Sequence, residues 1–224
     1  MNTLDANRKL WNKQQSFFRR TLLSFKQHDR AIESFLIQHA MLHSAKMARA
    51  GVWSFEDEIL NGLTEEQMRR IPRNGSHSIA WALWHITRIE DVTMNLLVAG
   101  TPQIFNRGNW LKRLDITARD TGNAMSADDI AKLSATIDLK ALRAYRVAVG
   151  RSTRAIAQAL TPAEMKQKVD RARLECVMAE GALVEQARGI NEFWGRRTIA
   201  GLLLMPATRH PFIHLNEMAR LSKS

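Results

Sequence analysis

Residues 78–102 read SIAWALWHITRIEDVTMNLLVAGTP. Within them Trp81, His85, Ile89, Val92 and Leu96 recur three or four positions apart, the spacing at which side chains share one face of an α-helix instead of alternating across a strand. A helix is expected from about Ser76 to Ala99, stopped by Gly100 and Pro102. His85 interrupts its apolar stripe. A neutral imidazole buried there must satisfy two ring nitrogens, either by ordinary core hydrogen bonds or by a metal ion on one nitrogen and an acceptor on the other.

The same period extends outward in both directions. Ile32, Phe35, Leu36, His39, His43 and Met47 predict a helix over about Asp29 to Ala50, with Gly51 as its stop. Phe105 to Met125 reads as a long connection that covers one mouth of a bundle. Ser126 with Asp129 forms a capping-box pattern that opens a third helix, expected to run from Ala127 to about Leu160. Thr161, Pro162 and Glu164 begin a further helical stretch, while Lys166 to Glu192 has no clear placement. A last helix is expected over Thr198 to Leu221, kinked by Pro206 and Pro211. No strand pattern emerges, so the expectation is an all-α chain. Residues 1–28 are expected as a basic N-terminal extension and 29–224 as one bundle domain.

Hydrophobic residues make up 45% of the 224-residue chain and charged ones 25%, enough apolar surface to fold without staples. A single cysteine, Cys176, excludes an intrachain disulfide, has no thiol-enzyme motif around it, and is expected as a small hydrophobe in a reducing compartment. Neither a secretory h-region nor an apolar run of spanning length is found, so a cytoplasmic protein without membrane insertion is expected. The net charge of +11 suits a polyanion, but the basic residues are dispersed with acids among them, the pattern of a solvated surface. Glycine loops for nucleotide phosphates are missing.

His210 and His214 lie four apart in the last expected helix, on one face and within reach of a common ion. Spacing alone is a weak signal. Two segments strengthen it by resemblance. SIAWALWHITRIEDVTMNLLVAGTP resembles the second helix of the DinB-like (YfiT-like) superfamily, in which a tryptophan-rich stretch leads to a ligand histidine and an acidic pair. TIAGLLLMPATRHPFIHLNEM, residues 198–218, resembles the last helix of that superfamily, with its HxxxH pair and a following polar position, here Glu217. The similarity covers about Glu33 to Leu221. The two prolines depart from the commoner pattern, and Pro211 directly follows a proposed ligand.

The resemblance implies an up-down-down-up four-helix bundle, often dimeric, with a divalent ion, zinc or nickel first and iron or manganese next, on His85, His210 and His214. It also implies a small-molecule substrate: some members transfer a low-molecular-weight thiol to an electrophile, others are thiol-dependent isomerases or hydrolases. Three neutral imidazoles leave an ion an open position, where thiol or water loses its proton more readily. Glu217 and His43 are the candidate catalytic side chains, with Glu217 placed to orient His214 or act as a base and His43 on an inward face. Core packing is the alternative for His43 and His39, a surface salt bridge for Glu217. Glu90 is turned about 140° from His85 around the helix, which favours a supporting role or a salt bridge over ligation beside it. Trp81, Trp84, Trp110 and Trp194 are expected as core. Two further readings remain: metal-dependent hydrolysis at the same histidines, and a non-catalytic helical module that binds nucleic acid or another polyanion.

Overall fold

The computed structural model describes residues 3–48, 50–73 and 75–223; residues 1–2 of the expected extension, Arg49 near the end of the first expected helix, Asn74 and Ser224 lie outside them. Regular structure among the described residues is helical: α1 (Thr3–Thr21), α2 (His28–Met41), α3 (Phe55–Leu60), α4 (Glu65–Arg69), α5 (Ile79–Asp91), α6 (Ile104–Arg107), α7 (Trp110–Arg113), α8 (Ala127–Thr136), α9 (Leu139–Ala159), α10 (Pro162–Lys166), α11 (Arg171–Ala179), α12 (Arg188–Gly195), α13 (Ile199–Leu204) and α14 (His210–Leu221). Only an isolated bridge joins Lys168 to Thr198 among those residues. The chain is all-α.

Ser78 opens α5 by accepting the Trp81 amide, and every residue of α5 is buried. A helix buried on all sides needs neighbours all round. α5 packs against α9 and α14, while α2 packs on α9 and on the turn that precedes α14. A π-helical stretch, Val92–Ala99, carries α5 on to Gly100, whose φ of 66° closes the helix as expected.

Two expected helices are shorter in the fold. α2 stops at Met41, well before Ala50. The carbonyls of Leu42 and His43 accept from Arg146 Nη2 (2.8 Å) and Ser54 Oγ (2.8 Å), so side chains from elsewhere hold the groups that would have continued it. The third helix is two helices, because Ile137 is extended (ψ 132°) and fully buried. Asp138 then caps α9 at the Ala141 amide (2.7 Å), a competition with helical continuation that Asp often wins.

The last expected helix also changes form. Met205–Arg209 is a π-helical turn containing Pro206, and α14 follows it without a break, since Arg209 is itself helical (φ −65°, ψ −40°); Pro211, the second residue of α14, has no N–H to return to that turn. The Leu203 and Leu204 carbonyls accept from Thr208 Oγ1 (3.0 and 2.8 Å), and Leu204 also from Gln15 Nε2 (3.2 Å). Gln15 belongs to α1, which buries Trp11 and Phe18 completely. Trp11 stacks on Phe212 with centroids 3.9 Å apart and planes 6° apart, so residues of the expected extension brace the helix that carries two of the histidines.

Candidate metal centre

His85 rises from α5 and His210 and His214 from α14, and the fold gathers one nitrogen from each within 4.8 Å of one another. The Nε2 atoms of His210 and His214 face each other at 3.1 Å. Such a pair is bonded if one nitrogen holds a proton, and it also approximates an edge of a coordination sphere, about 3.3 Å for tetrahedral bonds of about 2.05 Å. His85 stacks on Trp81 (4.8 Å, 6°) and contacts the Thr121 carbonyl through Nδ1 at 2.5 Å. A carbonyl only accepts, so the proton is on Nδ1 and Nε2 is the nitrogen with a free lone pair.

Thr121 comes from the connection after α7, whose Met125 Sδ accepts from Trp81 Nε1 at 3.4 Å. Gly122 has a φ of 80°, and a Cβ on it would fall 2.6 Å from Trp84 Cζ3 and 3.3 Å from Trp81 Cζ2. A residue free to adopt that conformation with no side chain lets the backbone approach His85.

On the other side, Glu217 Oε2 lies 2.6 Å from His214 Nδ1 and 3.8 Å from His77 Nε2. Glu217 thus stands beside the outer nitrogen of a histidine whose inner nitrogen faces the cluster, the place of a carboxylate that orients a ligand imidazole. His77, not singled out from the sequence, stands four residues before Trp81, in line with His85 and Ile89, but lies outside α5, just before its Ser78 cap. Its ring packs on Trp81 at 4.9 Å. His77, His214 and Glu217 form a second group with metal-ligand spacing.

Burial is the leading cause that holds all three histidines below the ordinary imidazole range. His85 is pushed down to about 3, with His214 adding to the effect. His210 is lowered well below, helped by His85, His214 and Arg146. His214 is lowered less, because Glu217 opposes the burial. At neutral pH the cluster therefore offers unprotonated lone pairs, the form that ligates. His210 and His214 are partly exposed and form its open side.

His43 and Glu90 belong to a separate group with His39. His39 Nε2 meets Glu90 Oε1 at 2.8 Å and His43 Nε2 meets Oε2 at 3.0 Å, all fully buried. Arg146 Nη1 lies 3.8 Å from Glu90, while its Nε donates to Glu56 Oε2 at 2.5 Å. Burial alone would raise Glu90, but His43 and His39 at its two oxygens hold the carboxyl well below its usual range. Burial, with Arg146, pushes His43 down to about 3, so His43 is a neutral donor to an ionised carboxylate. Arg146, at 3.8 Å, is the guanidinium in the surroundings of Glu90, which faces the α2 histidines and belongs to a group apart from His85.

The four tryptophans singled out from the sequence are buried. Cys176, expected as a small hydrophobe, is instead exposed on α11, and no helix among the described residues is long and apolar enough to cross a membrane.

A profile of the DinB superfamily matches residues 52–218, well over half of the chain and inclusive of His85, His210 and His214. The match starts after α2 and not at Glu33. Comparison with curated proteins gives no match.

Proposed function

The chain belongs to the DinB superfamily, and from that premise we propose that it is a divalent-metal enzyme that transfers a low-molecular-weight thiol to an electrophile, with His85, His210 and His214 as the ligands. The observation that carries the reading is the paired orientation of the imidazoles: the Thr121 carbonyl accepts the outer N–H of His85, Glu217 stands at the outer nitrogen of His214, and the opposite nitrogen of His214 faces that of His210 at 3.1 Å. Three neutral nitrogen donors fit zinc, nickel or iron, since imidazole suits these borderline metals. A bound ion supplies undiminished positive charge that favours loss of a proton from a thiol or water.

The chain's own groups do the rest. Trp81 fixes the plane of His85 by stacking, and Glu217, partly exposed on the open side, is the group placed to take a proton from an incoming nucleophile while steadying His214. His43, buried against Glu90, supports the core in this reading and is not assigned a chemical step. A single domain that works in the cytoplasm as a dimer belongs to the same proposal.

Elemental analysis of protein freed of any tag is the test. About one zinc, nickel, iron or manganese per chain, lost in His85→Ala, His210→Ala and His214→Ala, is expected, and full occupancy in all three variants refutes the ligand set. Metal-loaded protein is then given small thiols with an electrophile, or ester and amide substrates without a thiol. Turnover of the second set alone replaces transfer with hydrolysis at the same histidines.

A further inference from the structure

Part of the basic charge gathers on one face of α9. Lys140, Arg143, Val147 and Arg151 succeed one another by three or four positions on α9 and so share one face. That face borders a cavity of about 780 Å³, completed by Lys46, Trp110 and Arg113 among others. Five cations thus surround it, against two lining carboxylates, Glu56 and Asp57.

Of the two acids, one is neutralised by an ion pair and the other keeps its charge. Glu56 is bound to Arg146, and Asp57 Oδ2 accepts the Ala45 amide at 2.8 Å. Three of the five cations are held by neutral groups. Arg151 donates to the Met47 and Lys46 carbonyls (3.2 and 3.0 Å), Arg143 lies on the Leu60 carbonyl (3.4 Å), and the Arg113 guanidinium stacks over Trp110 at 3.5 Å. Among the described residues none of the five is ion-paired with a carboxylate. Carbonyl and ring contacts fix a guanidinium in place while its charge stays available to a ligand. Leu60, Val147 and Ala148 give the cavity an apolar wall.

We propose that this cavity, apart from the three histidines, is a binding site for a small organic anion that carries at least two negative charges on an apolar body. Its volume lies in the range of small-molecule pockets. Its concavity favours a compact ligand over a nucleic-acid backbone, which runs along a stripe or groove of charge.

The probe is 1-naphthyl phosphate, titrated calorimetrically in low salt with a chelator present, so that no phosphate contact with a metal at the histidines contributes. We expect one site per chain. The neutral 1-naphthol is expected to bind at least about tenfold more weakly, and Lys46→Glu and Lys140→Glu to weaken the phosphate by about tenfold each. Both variants change exposed side chains, and Lys9→Glu on α1 is the control of equal charge change, with binding near that of the unaltered chain. Equal binding of naphthol, or an equal loss in Lys9→Glu, overturns the proposal. Tighter binding of a short DNA duplex that the same two cavity variants abolish overturns it in favour of a nucleic-acid surface.

Discussion

Replacing Gly122 by alanine separates a structural cost from a cost at the metal site. The φ of 80° is left-handed, and a Cβ would be 2.6 Å from the buried Trp84 ring. The conformation costs roughly 1–2 kcal/mol for a residue with a side chain, and overpacking about 1–3 kcal/mol more, about 2–5 kcal/mol together. For a chain of this length each kcal/mol lowers the midpoint by roughly 2–4 °C, so thermal unfolding should begin about 4–20 °C earlier. Relief of the clash displaces the neighbouring Thr121 carbonyl from His85 Nδ1, and loss of such an outer partner lowers metal affinity by about 10–100-fold. Competition between the folded protein and a chromophoric chelator for zinc at 25 °C measures that term. Thr121→Ala is the control: its Oγ1 donates to Asn123 Oδ1 at 2.6 Å, but the carbonyl that His85 uses remains, so affinity should stay within about threefold. Zinc affinity unchanged in Gly122→Ala despite the lowered midpoint would refute the role of the Thr121 carbonyl.

Glu56→Gln leaves Arg146 buried with its main partner discharged, and urea unfolding should show a loss of about 3–5 kcal/mol, reduced when Arg146→Met is added. Glu217→Gln should weaken zinc about tenfold with little change in midpoint, since the carboxylate is partly exposed and acts on His214; the same chelator competition measures it. His43 is held at about 3 against an ordinary 6.5, so between those values the unfolded chain binds a proton that the folded one does not. Stability of the metal-free protein is therefore complete above about pH 6.5 and falls on acidification, by at most about 1.4 kcal/mol per pH unit for this group, and His43→Gln should flatten that slope in denaturant titrations at stepped pH.

The helical class and the histidines were legible because helical burial leaves a periodic mark. His85 stood out on the face that also holds Trp81 and Ile89, and the fold puts it with the HxxxH pair. What periodicity hides is a partner that acts from outside the helix. The Leu42 and His43 carbonyls end α2 because Arg146 and Ser54 bind them from far along the chain, and no local residue announces that. Asp138 was readable in principle as a cap, yet the flanking apolar spacing of α8 and α9 concealed the break. Thr121 reaches the site from a connection between helices, where no stripe exists to mark it, and His77, although in line with Trp81 and His85, lies ahead of the Ser78 cap and outside the helix. Pro206 and Pro211 do not end the last helix: a π-helical turn at Met205–Arg209 takes up the first, and α14 continues from it with Pro211 as its second residue.

Salt gives the two proposed sites opposite signatures. A chain of net charge +11 repels a divalent cation at long range, and ions screen that repulsion over about 10 Å at 0.1 M. Inside that distance the histidine cluster has a nearby carboxylate, Glu217, and screening hardly reaches a direct coordination bond. Added salt with a weakly coordinating anion should therefore leave zinc affinity unchanged or raise it slightly. The cavity on α9 presents surplus cations to solvent, so the same salt must weaken 1-naphthyl phosphate, steeply at first and then less, as for any exposed ion contact. Titrating both ligands between about 20 and 300 mM sodium perchlorate checks the two together. If both affinities fall in parallel, the phosphate is reporting the general field of a basic protein and the zinc is held at surface acids, and neither localised site stands. If only the phosphate falls, its binding is ionic and the metal is governed by the three imidazoles, and the Lys9→Glu control then decides whether the charge that binds it is the one on α9.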